Sequence, residues 1–298
     1  MDEKNIAEIV LSCEDTLITG SINCDKSFKY SKTNIPGSDD IIDAFLEQYE
    51  GCTCEESCSL DSCVCLQYFG AAYTEDQTIK SSVLKESSQP VLECGMMCTC
   101  CRQLCNNRIV QKGIKKKLEV FKTESKGYGL RTLENIAVLH FVCEYAGEVI
   151  NGEEAKHRMA ATESSNKDNY LIVVREYWKE QVLLTYVDPQ KVGNIGRFIN
   201  HSCDPNLVMV PVRNNHSVPR LALFASKDII AGEELTFNYS GASRVSLPSK
   251  SCIESTKVLP HLFEITDSKV DIRQVKRKPC YCGSNLCKGF MPYDKDLI

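Results

Sequence analysis

From Leu118 onward the apolar positions come in short runs: LEVFKT, FVCEYAGEVI, NYLIVVRE, QVLLTYVD, NLVMVPVR, RLALFASKDI and ELTFNY. Each run is rich in β-branched and aromatic residues and is bounded by Gly, Pro, Asn or Asp, which is the pattern of strands. GEEAKHRMAAT, residues 152–162, is the stretch with a clearly helical character, and VGNIGRFIN (192–200) has room for one short helical turn. A mostly β domain of several small sheets is therefore expected over residues 114–241, with no evident internal repeat.

Upstream, residues 1–48 read as an N-terminal extension. Within it DDIIDAFLEQYE places Ile41, Ile42, Phe45, Leu46 and Tyr49 at helical spacing behind acidic residues, predicting one packing helix. Residues 49–113 carry two dense cysteine clusters. The stretch between them, TEDQTIKSSVLKESSQP, reads as a solvated loop. Residues 242–276 are polar, with Pro248 and Pro260, and read as an irregular connection. Residues 277–298 form a last segment around CYCGSNLC.

Composition adds little to this picture except in two respects. The chain has 298 residues, 43% hydrophobic and 25% charged, an ordinary globular balance, and no apolar run long enough to span a membrane. Its acidic start lacks the apolar core of a secretory signal. The net charge of −5 disfavours direct DNA binding, which relies on an excess of Lys and Arg, and suits a basic peptide partner. The KKK at 115–117 is too short to alter that and reads as a solvated turn.

The second respect is the count of eighteen cysteines. In a reducing compartment, clustered cysteines at short spacing read as metal ligands, because soft thiolates hold zinc tetrahedrally; a disulfide scaffold is the alternative. Cys52, Cys54, Cys58, Cys63 and Cys65 form the first cluster, and Cys94, Cys98, Cys100, Cys101 and Cys105 the second. Cys280, Cys282 and Cys287 in the tail make three ligands and need a fourth. Cys203, in GRFINHSCDPNL, could be that ligand or a small buried hydrophobe, and spacing alone does not choose. Cys13, Cys24, Cys143 and Cys252 stand alone and read as packing or surface residues. A cysteine-protease pair of His201 and Cys203 is disfavoured on the expectation that the two side chains point to opposite sides of an extended segment.

Five motifs in order carry a resemblance: KGYGLR (126–131), EYAGEVI (144–150), NIGRFINHSCDPN (194–206), GEELTFNYS (232–240) and CYCGSNLC (280–287). Together the chain resembles SET-domain protein lysine methyltransferases, of the kind with a pre-SET cysteine segment and a post-SET zinc tail. The resemblance covers roughly residues 49–293 and implies a SET fold whose NHSC strand threads a loop as a pseudoknot. It implies a nuclear, chromatin-bound enzyme that uses S-adenosylmethionine to methylate a histone tail lysine in a nucleosome. A catalytically weak, zinc-scaffolded module that binds chromatin peptides is the alternative.

The resemblance also assigns roles. Three zincs in the pre-SET segment would be held by nine thiolates, three of them bridging: Cys52, Cys54, Cys58, Cys63, Cys65, Cys94, Cys98, Cys105 and one more. Cys100 is favoured over Cys101 for the ninth, because it preserves the tighter C-x-C interval. One zinc in the tail would be held by Cys203, Cys280, Cys282 and Cys287. Lys126, Gly127, Tyr128, Gly129, Tyr170, Arg197, Asn200, His201 and Phe290 would line the cofactor site, with Tyr128 standing where the family usually has Trp. Tyr239 resembles the catalytic tyrosine and Tyr170 a second tyrosine near the amine. Phe237 matches a product-specificity position, where Phe leaves space for a dimethyl and even a trimethyl product. Asn238 departs from the family's Asp, keeping the shape and losing the charge.

Overall fold

The computed structural model describes residues 18–19, 28–85, 91–165, 167–178, 181–214, 216–240 and 278–292. Fourteen short strands make up most of its regular structure: β1 (Ile18–Thr19), β2 (Lys29–Tyr30), β3 (Ile35–Pro36), β4 (Val91–Leu92), β5 (Leu118–Lys122), β6 (Tyr128–Thr132), β7 (Phe141–Tyr145), β8 (Gly147–Ile150), β9 (Ile172–Trp178), β10 (Gln181–Gly193), β11 (Asn200–His201), β12 (Leu207–Arg213), β13 (Arg220–Ala225) and β14 (Thr236–Phe237). Four helices, α1 (Ile42–Leu46), α2 (Val64–Phe69), α3 (Ser81–Lys85) and α4 (Gly152–Ser164), lie between them.

The strands form four small sheets, ordered β1-β5-β6, β2-β10-β8-β3 with β9 on β10, β11-β14, and β4-β12-β13-β7. The strand runs of the sequence appear largely as expected, and FVCEYAGEVI splits into two strands that enter different sheets. The break is at Ala146, whose N–H donates to the Asn194 side chain at 3.2 Å. The ELTFNY run yields only the two residues of β14.

The segment read as an extension contributes edge strands. β2 runs parallel to the end of β10 and β3 parallel to β8. Asn34 is buried and fixes this strap at both ends, donating to Pro219 O (3.1 Å) and accepting from Gly147 N (3.1 Å). The expected helix is shorter than its apolar pattern: a 3-10 turn, Asp39–Ile41, leads into α1, and the chain is extended again at Glu47. Ile41 is buried, whereas Leu46 is 70% exposed, since α1 ends before a second turn could bring it to the core.

One core gathers Leu118, Val120, Leu130, Ile136, Val142, Ile195, Ile199, Leu221, Leu235 and Phe237 between the sheets. A second core lies where β12 and β13 meet the pre-SET segment, around Tyr73, Ile79, Val91, Val110, Val212 and Phe224. Here the structure corrects the expectation for residues 74–90. Ile79 is fully buried and Val83 and Leu84 of α3 pack beside it, so the described part of this stretch is a core element rather than a solvated loop. Burying Ile79 contributes on the order of 2 kcal/mol, enough to hold a polar stretch in place.

Glu93, directly after β4, joins the pre-SET segment to β12 through its backbone, whose N–H donates to Arg213 O at 2.6 Å. It is fully buried, yet its carboxylate accepts from Tyr73 Oη (2.9 Å), Ile109 N (2.7 Å), Val110 N (2.7 Å), and Gln111 N (3.3 Å) and Nε2 (2.9 Å). A buried carboxylate costs several kcal/mol unless its oxygens are satisfied. This one is satisfied by the turn that leads out of the cysteine clusters. Among the described residues no helix is long and apolar enough to cross a membrane.

Candidate active site

The stretch NIGRFINHSC is shaped by Asn194. Its side chain accepts from Gly196 N (2.9 Å) and donates to Glu144 O (2.8 Å), opening the 3-10 turn Ile195–Phe198. Gly196 must be glycine here, because a Cβ would lie 2.5 Å from Glu144 O. The chain then enters β11, which runs parallel to β14 with Asn200 beside Thr236 and His201 beside Phe237. Asn206 fastens the other side, donating to Glu234 O (2.9 Å) and accepting from Thr236 N (2.9 Å).

This pairing brings the aromatic residues together. Phe237 is buried, with its ring 4.8 Å from that of Tyr239 and 5.8 Å from that of Tyr145. The Tyr239 hydroxyl donates to Ile199 O at 2.8 Å, and its N–H donates to His201 Nδ1 at 3.2 Å. Burial pushes the Tyr239 phenol well up from its ordinary value, so it stays protonated at neutral pH. Burial likewise lowers His201 and keeps its imidazole neutral. The Tyr145 hydroxyl donates to Tyr170 O at 2.5 Å, tying the second predicted tyrosine to the same group. The result is a patch of rings with oriented hydroxyls where β11 pairs with β14.

The predicted cofactor residues surround the other end of β11. Gly127 adopts a left-handed φ of +74°, which turns the chain into β6. Asn200 Nδ2 donates to Tyr128 O (3.1 Å) and to Glu234 Oε1 (2.9 Å), and Lys126 Nζ pairs with Glu234 Oε2 at 2.6 Å. Glu234 is thus the joint between the glycine turn and the NHSC thread. Within GEELTFNYS nothing local marks Glu234 for this role. A Cβ on Gly129 would lie 3.0 Å from Glu234 Oε1, so the close approach requires glycine. Phe290 sits on the tail loop, bridged to Pro279 and 51% exposed.

Arg197 tests whether the site suits an anionic ligand. It is buried, its Nε has no hydrogen-bond partner, and its guanidinium lies against the rings of Phe28 (4.3 Å), Tyr170 (4.4 Å) and Phe198 (5.4 Å). A buried cation held by ring faces, with hydrogen-bonding capacity left over, fits a ligand carboxylate.

The cysteines converge as the metal reading requires. Three four-sulfur groups, each with all sulfurs within 4.8 Å of one another, form in the N-terminal clusters: Cys52, Cys54, Cys58 and Cys63; Cys52, Cys65, Cys94 and Cys98; and Cys52, Cys58, Cys94 and Cys100. Cys105 Sγ lies 3.6 Å from Cys58 Sγ. Cys101 Sγ instead faces Gln103 Oε1 at 3.3 Å, outside these groups. So many sulfurs in contact cannot all ionise without a cation. The Cys105 thiol is already held down by the neighbouring Cys94 sulfur and, against burial, by the Asn107 N–H. Arg108, buried beneath, donates to Cys100 Sγ at 3.3 Å. A fourth group unites Cys203 with Cys280, Cys282 and Cys287. Burial there works to raise the Cys282 thiol, but the backbone N–H groups of Cys203 and Ser284 and the Cys287 and Cys280 sulfurs together outweigh it and bring it down to about 6. The donor sets fit soft, tetrahedral zinc.

His201 and Cys203 do meet, with Nε2 and Sγ 3.5 Å apart. The expectation that they point to opposite sides was wrong, because side chains two apart on an extended segment share a face. A protease pair is still disfavoured, on the different ground that Cys203 belongs to a sulfur group. Cys143 is buried in the core, and Cys13, Cys24 and Cys252 lie outside the described residues.

Comparison with known proteins agrees with this geometry. The SET domain model matches residues 127–240 and the Pre-SET motif model residues 5–108. Histone-lysine N-methyltransferase SETMAR of Mus musculus is 42% identical over 91% of this chain and 83% of its own length. The crystal structure of the methyltransferase domain of human SETMAR superposes with a TM-score of 0.74 at 35% identity, covering 98% of this chain and 99% of that one. KRYPTONITE, solved with mCHH DNA, an H3(1–15) peptide and SAH, superposes at 0.65 with 26% identity, over 92% of this chain and 51% of that one. With 83% of a 42% identical relative spanned and both motif models matched, the chain belongs to the SET-domain family of histone-lysine N-methyltransferases, in the branch that carries a pre-SET motif.

Proposed function

We propose that this chain is a protein lysine N-methyltransferase that uses S-adenosylmethionine and acts on a histone tail in chromatin within the nucleus. The observation that carries the reading is the meeting, on β11 and β14, of the cofactor thread Asn200–His201, the buried Phe237 ring with the half-buried Tyr239 ring, and a four-sulfur group that includes Cys203. The KRYPTONITE complex with SAH and an H3 peptide supports the cofactor and the substrate class.

S-adenosylmethionine supplies an electrophilic methyl group on a sulfonium. The guanidinium of Arg197, whose buried Nε has no partner, would take its carboxylate, and Gly127 and Gly129 let the backbone approach closely. Lys126, Glu234 and Asn200 keep the two walls of this slot at a fixed spacing. The substrate lysine must arrive as a neutral amine, and the apolar walls of Phe237 and Tyr145 disfavour its ammonium form. Tyr239 remains a phenol whose proton is committed to Ile199 O, leaving its oxygen lone pairs for the approaching groups. Fixing donor and acceptor in line removes much of the entropic barrier.

Phe237 has no hydroxyl to hold a water against the amine, which supports a dimethyl product and leaves space for a third methyl. Asn238 Oδ1 accepts from Ser240 N (3.1 Å) and Ser240 Oγ (2.7 Å), so the amide still caps the turn after β14 despite lacking the carboxylate charge. Four ligands on each of three zincs require three of nine thiolates to bridge. Cys52, Cys58 and Cys94 are the ones that stand in more than one sulfur group. We assign Cys100, not Cys101, as the ninth ligand on the same geometry. The tail zinc would be held by Cys203, Cys280, Cys282 and Cys287, with Phe290 carried beside it over the cofactor.

Mass spectrometry of nucleosomes incubated with the protein and S-adenosylmethionine tests the reading. It predicts added mass in steps of one methyl on a histone lysine. Histone peptide binding without any methyl transfer would instead establish the binding-module alternative.

A further inference from the structure

We infer that Phe28, delivered by the N-terminal strap, is a positioning residue for the methyl donor, acting through Arg197. The inference rests on the cofactor reading proposed above. Phe28 directly precedes β2, whose pairing with Val192 and Gly193 at the end of β10 anchors it close to the turn bearing Arg197. Ser31 N donates to Gly193 O at 2.8 Å and secures the same register. Phe28 and Arg197 are each only 9% exposed.

The Phe28 ring lies 4.3 Å from the guanidinium carbon and the Tyr170 ring 4.4 Å from it, so the two rings grip the cation. Among the described residues no carboxylate is paired with Arg197, and its Nε is unpartnered. A buried guanidinium satisfied by a carboxylate of the protein itself would have little left for a ligand. One satisfied by ring faces keeps N–H groups uncommitted while its plane is fixed. Phe28 therefore supplies what an acidic residue could not: compensation for desolvation that does not compete for the donors. The strap belongs to the binding site as well as to the sheets.

The test is calorimetric titration of S-adenosylmethionine into the full chain and into F28A, F28L and F28W, with melting curves and the KM for a histone peptide measured alongside. F28A and F28L are expected to bind the donor about three- to thirtyfold more weakly. F28W should bind like the unaltered chain, and the peptide KM should not move. Because Leu keeps most of the apolar volume but has no ring face, F28L separates cation positioning from packing and serves even where F28A folds poorly. Donor binding by F28L equal to that of the unaltered chain would overturn the inference and leave the cofactor reading intact. Failure of the unaltered chain to bind the donor would overturn that reading and this inference with it.

Discussion

In the N-terminal clusters Cys52, Cys63, Cys65, Cys94, Cys100 and Cys105 are buried, and the surrounding segment is tied to the SET sheets by the pairing of β4 with β12 and by the second core. In the tail group all four sulfurs are only half-buried, and among the described residues the loop bearing three of them touches the rest of the protein through few bonds, such as Lys288 N to Cys203 Sγ at 3.4 Å. The same chemistry, four thiolates around one point, therefore serves two purposes. The first clusters form a core of their own beside the apolar one that the same segment shares with β12 and β13. On the proposed reading the tail group closes a site on a domain that already has its core. Losing the first should unfold part of the chain, and losing the second should abolish turnover while leaving the fold.

The largest expected effect breaks the first side of that comparison. C94S removes a sulfur shared by two groups. Structural zinc of this kind contributes on the order of 10 kcal/mol to folding, so the melting temperature should fall by more than about 10 °C and zinc content should drop by more than one ion. Next comes Y239F, which leaves the ring contact with Phe237 but removes the bond to Ile199 O. Its kcat in a peptide methylation assay should fall about a hundredfold, with the melting curve unchanged. E234Q weakens the joint between Lys126 and Asn200, and should raise the KM for S-adenosylmethionine about three- to tenfold with a smaller change in kcat. F237Y should alter the product more than the rate, shifting a time course followed by mass spectrometry towards monomethyl lysine. N238D should be the mildest, changing kcat/KM by less than about twofold, since the Ser240 bonds need only an acceptor oxygen.

The contrast between the clusters also explains what could be read from the sequence. Cysteine ligands announce themselves because their spacing is local and nothing else explains so many thiols together. The strands β5, β7, β9, β12 and β13 and helix α4 were legible for a similar reason, a run of four or more residues with one periodicity. The NHSC thread was legible as a motif, but the choice for Cys203 needed the tail to fold back upon it. β2 and β3 were not legible, because two paired residues have no period. Ile79 was hidden among polar neighbours, and its burial depends on a partner core assembled from β12 and β13. Glu234 and Phe28 were missed because each acts on residues far away in the chain, Lys126 and Arg197, and neither has an unusual local setting. Helical spacing overstated α1 for the opposite reason: Leu46 fits the period but has nothing to pack on.

The most direct test of the central claim, that a sulfur-held tail completes a methyl-transfer slot on an otherwise finished domain, is turnover of C287S on a histone tail peptide, measured by mass spectrometry beside its melting curve. The account predicts loss of methyl transfer by at least about a hundredfold with a melting temperature within a few degrees of the unaltered chain. Undiminished turnover would contradict it.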